Sequence, residues 1–140
     1  MSRKMAEEGY LTHWGNAAKR YPRNSFYGFA KRIVEAQKVV LSDKLKKSKW
    51  DRTEVRSGDL TREVSALKKQ KGKAIGVFGG AGFAAALIAA RVVDEYQFYI
   101  NPVALGSGAR IFDETTFGAL KLLEAKAFKC GMVVGKYAPR

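Results

Sequence analysis

The sequence predicts an α/β fold: a mixed β-sheet in a three-layer arrangement, helices on both of its faces, and a β-hairpin at the C-terminal end. Three observations carry this expectation. Helix-like and strand-like segments alternate early in the chain, strand-like segments follow one another late, and the glycine cluster Gly79-Gly80-Ala81-Gly82 joins a strand-like run to a helix-like one. Alternation calls for parallel strands crossed over by helices, while consecutive strands call for antiparallel neighbours. A chain of 140 residues, 46% of them hydrophobic, is long enough for one domain over residues 1–140 with its own core.

The elements follow in order. Residues 1–24 mix charge, aromatics and turn formers, and Gly9, Gly15, Asn16 and Pro22 interrupt any period, so a short helix over residues 3–8 followed by a loop is expected. From Ser25, a candidate N-cap, Phe26, Phe29, Ala30, Ile33 and Val34 recur at helical spacing and define one apolar face. Residues 38–42 read as a short buried strand, and a basic linker over 44–49 leads to Trp50 and a second strand around Thr53-Glu54-Val55. Gly58 and Asp59 mark a turn and an N-cap. The stripe Leu60, Val64 and Leu67 then ends in Lys68-Lys69-Gln70-Lys71-Gly72, where the cations suit the negative end of a helix dipole.

Next comes a compact strand over residues 74–78, the glycine cluster, and a helix with Phe83, Ala84, Leu87 and Ile88 on one face, closed by Asp94. Residues 95–101 alternate with period two, and Pro102 and Gly106-Ser107-Gly108 punctuate the loop beyond. Strands over 121–128 and 132–137, joined through Lys129-Cys130-Gly131, make the terminal hairpin.

Charge narrows the range of partners. The net charge is +13. Residues 1–73 hold 19 Lys and Arg against 8 acids, whereas residues 74–140 hold 7 against 5. An excess confined to one half points to a polyanionic partner, whether nucleic acid, an anionic membrane or a phosphorylated small molecule, and a lysine-rich solvated surface is the equally open alternative. No apolar run reaches membrane-spanning length, the first residues lack a secretory signal's apolar middle, and the lone Cys130 has no disulfide partner in the chain. The expectation is a soluble, cytoplasmic protein.

The strand–glycine–helix unit carries the chemistry. Glycines let backbone approach a phosphate, and the helix that follows presents unpaired N–H groups with partial positive charge. The spacing matches neither the dinucleotide fingerprint nor the Walker loop. On physics alone, an anion cradle and a tight turn packed with small residues both remain open.

The segment Val77-Phe78-Gly79-Gly80-Ala81-Gly82-Phe83, with Val93-Asp94-Glu95-Tyr96 and Asn101-Pro102-Val103-Ala104-Leu105-Gly106-Ser107-Gly108 after it, resembles the second half of a dihydrofolate-reductase-like domain. It is more similar still to the reductase domain of the riboflavin-biosynthesis deaminase-reductase. The stretch from Leu122 through Val134 resembles that group's terminal hairpin, Ser2-Arg3-Lys4-Met5 its Gly-Arg-Lys-Met turn, and Lys38-Val39-Val40-Leu41-Ser42 its next strand. The resemblance implies that Gly79, Gly80, Ala81, Gly82 and Phe83 hold the pyrophosphate of NADPH. It also implies that Arg3 and Lys4 lie near the adenosine 2′-phosphate with Ser42 on a neighbouring loop, and that the 101–106 loop lines the nicotinamide or substrate side. Two departures stand out: Ser2 replaces the family's glycine, and the family's first strand and helix have no counterpart before Met1. The expected domain is therefore N-terminally shortened. Strand exchange in a homodimer is one repair, and no catalytic proton donor is assigned.

Other residues carry less. His13 and Trp14 are expected in a loop, and a single histidine makes a poor metal site, so no metal is expected. Asp94 and Glu95, like Asp113 and Glu114, read as element ends and loop charges. Tyr21, Arg23, Phe26 and Tyr27 beside Lys19 and Arg20 set aromatics among cations, as stacking platforms for nucleic acid do. The leading expectation is an NADPH-dependent reductase acting on a small pterin-like or ribosylamino-pyrimidine-like substrate. The alternatives are a noncatalytic basic module for nucleic acid and an inactive, dimerising remnant of the fold.

Overall fold

In the computed structural model, which describes residues 1–112 and 118–140 and leaves aside the side chain of Phe26, Ser2 opens helix α1 (Arg3–Glu7). The Ser2 hydroxyl accepts the Met5 amide at 3.4 Å and so caps a short helix that the sequence led us to expect. The expectations for Asp113 and Glu114 lie outside the described residues.

The next segment corrects the sequence reading. Residues expected to form a loop make helix α2 (Tyr10–Arg20), with His13 and Trp14 inside it. Gly9 does not break the helix but starts it: its φ of 90° is one that an L-residue rarely adopts, and its carbonyl accepts the His13 amide at 2.8 Å. Leu11, Trp14, Ala17 and Ala18 then turn inward at helical spacing, while Thr12, His13, Asn16 and Lys19 stay exposed. Packing of that stripe outweighs the weak propensities of Gly15 and Asn16.

Helix α3 (Gly28–Glu35) also starts later than expected. A 3-10 turn (Ser25–Tyr27) precedes it, Tyr27 occupies the N-cap position without a side-chain bond, and Ser25 is not the cap. Ala30 and Ile33 are buried, whereas Phe29 and Val34 at the stripe's margins are half-exposed. The Lys38 ammonium closes the helix, donating to the carbonyls of Ile33, Val34 and Ala36 at 3.3, 3.0 and 2.7 Å.

Strands β1 (Lys38–Leu41) and β2 (Thr53–Arg56) pair in parallel, with Val40 opposite Val55. Val40 is fully buried, a contribution of about 1.5–3 kcal/mol. Helix α4 (Leu60–Lys68) begins as expected, with the Asp59 carboxylate accepting the Arg62 amide at 2.8 Å. Residues 74–78 are not a strand. Among the described residues, their one backbone bond to another segment runs from the Ser2 amide to the Phe78 carbonyl at 2.9 Å, and Ile75 and Val77 are more than half exposed. β-branched composition without a ladder partner leaves extended chain, because a strand exists through its pairing.

Helix α5 (Ala81–Ala89) follows the glycines. It stops before Asp94: the Arg91 amide, at φ 54°, donates to the Ile88 carbonyl, and the Val92 amide donates to that of Leu87, the two hydrogen bonds of a left-handed C-terminal cap. Two compact units result, Met1–Ala84 and Ala85–Arg140. The first has its core at Ala6, Leu11, Ala17, Ala30, Ile33 and Val40.

In the second unit, strands β3 (Tyr96–Ile100), β4 (Leu120–Ala127) and β5 (Val133–Pro139) form an antiparallel sheet in the order β3-β5-β4. The expected terminal hairpin is β4–β5, turned through Gly131 at φ 86°. Tyr96, Phe98, Phe112 and Tyr137 gather against this sheet with ring centroids 5.6–6.0 Å apart. The parallel and antiparallel parts of the expected mixed sheet thus appear as one sheet in each unit. Among the described residues, no helix is long and apolar enough to cross a membrane.

Candidate functional site

Ser2 organises the site. It bridges Leu41 of β1 in parallel, and its amide binds the Phe78 carbonyl just before the glycine cluster. Two segments more than seventy positions apart are thereby held side by side. The approach to the cluster is fixed by aromatic packing: Phe78 lies 5.8 Å from Tyr10 and 6.3 Å from Phe29, and Trp14 lies 5.3 Å from Phe29. Helices α2 and α3 therefore seat the glycine segment through ring contacts, each worth about 0.5–1.5 kcal/mol beyond area burial.

A cleft of about 540 Å³ opens where these segments meet. Arg3 and Lys4 line one part and Gly80, Gly82 and Phe83 another, with Ser2, Met5, Glu8 and Tyr10 completing the wall. Five of the eight residues expected at a cofactor site therefore share one cleft. Gly79, Ala81 and Ser42 are not part of its lining. The Ser42 hydroxyl instead accepts the amides of Lys44 and Leu45 at 3.1 Å each and shapes the turn after β1.

The glycines divide by role. None of Gly79, Gly80 and Gly82 needs a positive φ. A Cβ on Gly79 would meet Phe83 Cδ1 at 2.5 Å and Phe83 Cβ at 3.0 Å, so only glycine lets Phe83 fold back there. A Cβ on Gly80 or Gly82 would meet nothing within 4 Å. Their bare backbone faces open space, which is the room a bound group requires. The Gly80 carbonyl accepts the amides of Phe83 and Ala84 at 3.0 and 3.1 Å, which leaves the amides of Gly80, Ala81 and Gly82 without a partner among the described residues. Those donors and the start of α5 favour an anion.

Side-chain charge is uneven. Arg3 is tied to Glu7 at 2.5 Å, one turn along α1, so part of its charge is spent within the helix. Lys4 is exposed and has no acidic partner among the described residues. Glu8 sets an opposing charge in the same wall. Burial pushes the Tyr10 phenol above its usual range, countered by a hydrogen bond with Trp14, so Tyr10 is an uncharged wall at neutral pH.

Tyr10 was missed in the sequence because α2 was missed, although the i, i+4 pair Tyr10 and Trp14 was a readable signal; Glu8 caps the expected helix α1, and its place in the cleft wall has no local signal. Residues 101–106 lie in the second unit and are exposed throughout. Among the described residues, no three His, Cys, Asp or Glu side chains are grouped to hold a metal ion.

Comparison with known proteins bears on this site and fold. The chain is 37% identical over 76 residues to the uncharacterized protein YyaP of Bacillus subtilis (strain 168), an alignment that spans 54% of this chain and 40% of that protein. A crystal structure of a protein assigned to riboflavin biosynthesis in Shewanella sp. PV-4 superposes with a TM-score of 0.62 at 17% identity. That match covers 73% of this chain and 59% of the other, and it establishes a shared dihydrofolate-reductase-like fold. The chain thus spans less than two thirds of either relative. The model of the RibD C-terminal domain matches residues 3–134, from the Arg3-Lys4 turn through the glycine cluster to the terminal hairpin, and the chain belongs to that family.

Proposed function

We propose that the cleft binds NADPH and that this reductase-like domain delivers hydride to a pterin-like or ribosylamino-pyrimidine-like acceptor. The observation that carries the reading is the convergence of Arg3 and Lys4 with Gly80, Gly82 and Phe83 on one cleft. A pyrophosphate asks for backbone donors and for room against the chain, and the Gly80–Gly82 backbone offers both. The adenosine 2′-phosphate asks for a cation free to form charge-assisted hydrogen bonds, and Lys4 is such a cation. When bound, NADPH supplies the hydride. The residues of this chain bind and orient it: the glycine backbone and the α5 amides at the pyrophosphate, Lys4 and Arg3 at the 2′-phosphate, and Phe83 and Tyr10 as apolar walls.

The test is a titration of purified protein with NADPH and with NADH, followed by cofactor fluorescence. Saturable NADPH binding well below millimolar, with NADH weaker, is expected. Lys4→Gln should shrink the preference for NADPH about tenfold, the worth of one charge-assisted bond at about 1.5 kcal/mol. Absence of NADPH binding at millimolar concentration overturns the proposal.

A further inference from the structure

We propose that the corner between α2 and α3 is a binding surface for single-stranded nucleic acid, apart from the cleft and independent of it. Residues 9–34 contain no Asp or Glu, yet they include Lys19, Arg20, Arg23, Lys31 and Arg32, all exposed. The fold concentrates them. Lys19 and Arg20 end α2, the chain turns through Tyr21, Pro22 and Arg23, and α3 packs back along α2 carrying Lys31 and Arg32. Lys31 reaches Glu35 at 3.8 Å, but Lys19, Arg20, Arg23 and Arg32 have no acidic partner among the described residues.

At the centre of this turn Tyr21 and Tyr27 stack with ring centroids 4.4 Å apart and planes 13° from parallel. The Arg20 guanidinium lies 5.4 Å from the Tyr21 centroid. Both rings are only part-covered. Helix-end cations alone would serve the α2 dipole, and a stacked ring pair alone would serve packing. Together, on a surface where Glu35 is the one acid paired with these cations among the described residues, they match a strand that offers a phosphate at each nucleotide and an unpaired π-face at each base. Duplex nucleic acid hides those faces, and a lipid surface has none.

The test measures fluorescence anisotropy of a labelled oligo(dT) with the intact protein across a salt series, alongside vesicles containing phosphatidylserine. Arg20→Gln with Arg23→Gln should lower affinity about tenfold at physiological salt and flatten the log–log salt slope by about 1.4, or ~0.7 for each charge removed from a single-strand contact. Tyr27→Leu should lower affinity about tenfold, the scale of one lost stack, and leave the salt slope unchanged. Lys69→Gln with Lys71→Gln removes the same charge from the end of α4 and should change affinity less than threefold. Circular dichroism melts check that each variant is folded; should Tyr27→Leu not fold, Tyr27→Trp replaces it, with affinity retained or raised. The proposal is overturned by any of three results: no oligo(dT) binding at low salt, equal losses from the two charge-removing pairs, or vesicle binding that exceeds oligonucleotide binding.

Discussion

Three alanine substitutions in one short segment should separate packing from ligand binding. At Gly79 a new Cβ would lie 2.5 Å from Phe83 Cδ1, 3.0 Å from Phe83 Cβ and 3.1 Å from Phe83 Cγ. Swinging the ring relieves the first contact but not the second, because Phe83 Cβ is fixed to the backbone of α5. Gly79→Ala should therefore cost about 1–3 kcal/mol, the usual range for overpacking, and lower Tm by roughly 3–10 °C. At Gly80 and Gly82 the added methyl meets no protein atom within 4 Å and the backbone needs no positive φ. Gly80→Ala and Gly82→Ala should leave stability unchanged or raise it by about 0.4–1 kcal/mol, since alanine restricts the unfolded chain. Each should nevertheless weaken NADPH by about tenfold or more, because the methyl fills the room that the pyrophosphate needs. Thermal melts and fluorescence titrations on the same three proteins decide the matter. If Gly80→Ala and Gly82→Ala bind NADPH like the parent, the open space beside them is not the phosphate site. If Gly79→Ala melts like the parent, the Phe83 contact does not limit packing.

Further outcomes follow from other details. Arg91 ends α5 at φ 54°, a conformation that costs an L-residue about 1 kcal/mol, so Arg91→Gly should hold or raise Tm by a few degrees in a thermal melt. Lys38 closes α3 through three carbonyls, and Lys38→Met should cost about 1 kcal/mol in urea unfolding. Arg56 holds the Glu54 carboxyl below 4.5 mainly through their hydrogen bond, and Lys136 does the same for Glu124. A folded pKa below the unfolded one means that the unfolded chain binds more protons as pH falls. The small stability from these pairs is thus present above pH 4.5 and is lost as pH drops through the folded values. Carboxyl NMR titrations should find both glutamates below 4.5, and Arg56→Gln should return Glu54 toward it.

Strands and helices with uninterrupted local patterns were legible in the sequence. Asp59 capped α4, Val40 lay in a buried strand, and Gly131 turned the terminal hairpin, because each signal sits within a few residues of its effect. Failures came where a remote contact decides. Gly9, Gly15 and Asn16 argue locally against a helix, yet Trp14 and Ala17 form one because α1 and α3 cover them. Residues 74–78 have strand composition, but pairing is a property of the neighbour and cannot be read from the segment itself. Within the site, the pairing of Arg3 with Glu7 was readable from their i, i+4 spacing on the expected helix, whereas Ser42 turned its hydroxyl to its own loop. A sequence shows which groups are present, whereas their prior commitments are set by folding.

That distinction resolves the ambiguity in the glycine cluster. Physics alone allowed a phosphate cradle or a tight turn built from small residues, as though one explanation had to cover every glycine. The structure gives each residue its own. Gly79 is small because Phe83 occupies the space where a side chain would stand, which is the packing explanation. Gly80 and Gly82 face open space beside amides without a partner among the described residues, where packing makes no demand and the proposed pyrophosphate would. The two roles are coupled, because the Phe83 ring that Gly79 admits is itself a wall of the cleft. A substitution at Gly79 should therefore disturb binding only as far as it displaces Phe83, and Gly79→Ala combined with Phe83→Ala should recover stability relative to Gly79→Ala alone. Non-additivity in that cycle would measure the contact directly. Strict additivity would mean that the glycine and the ring act independently, and the packing explanation would fail.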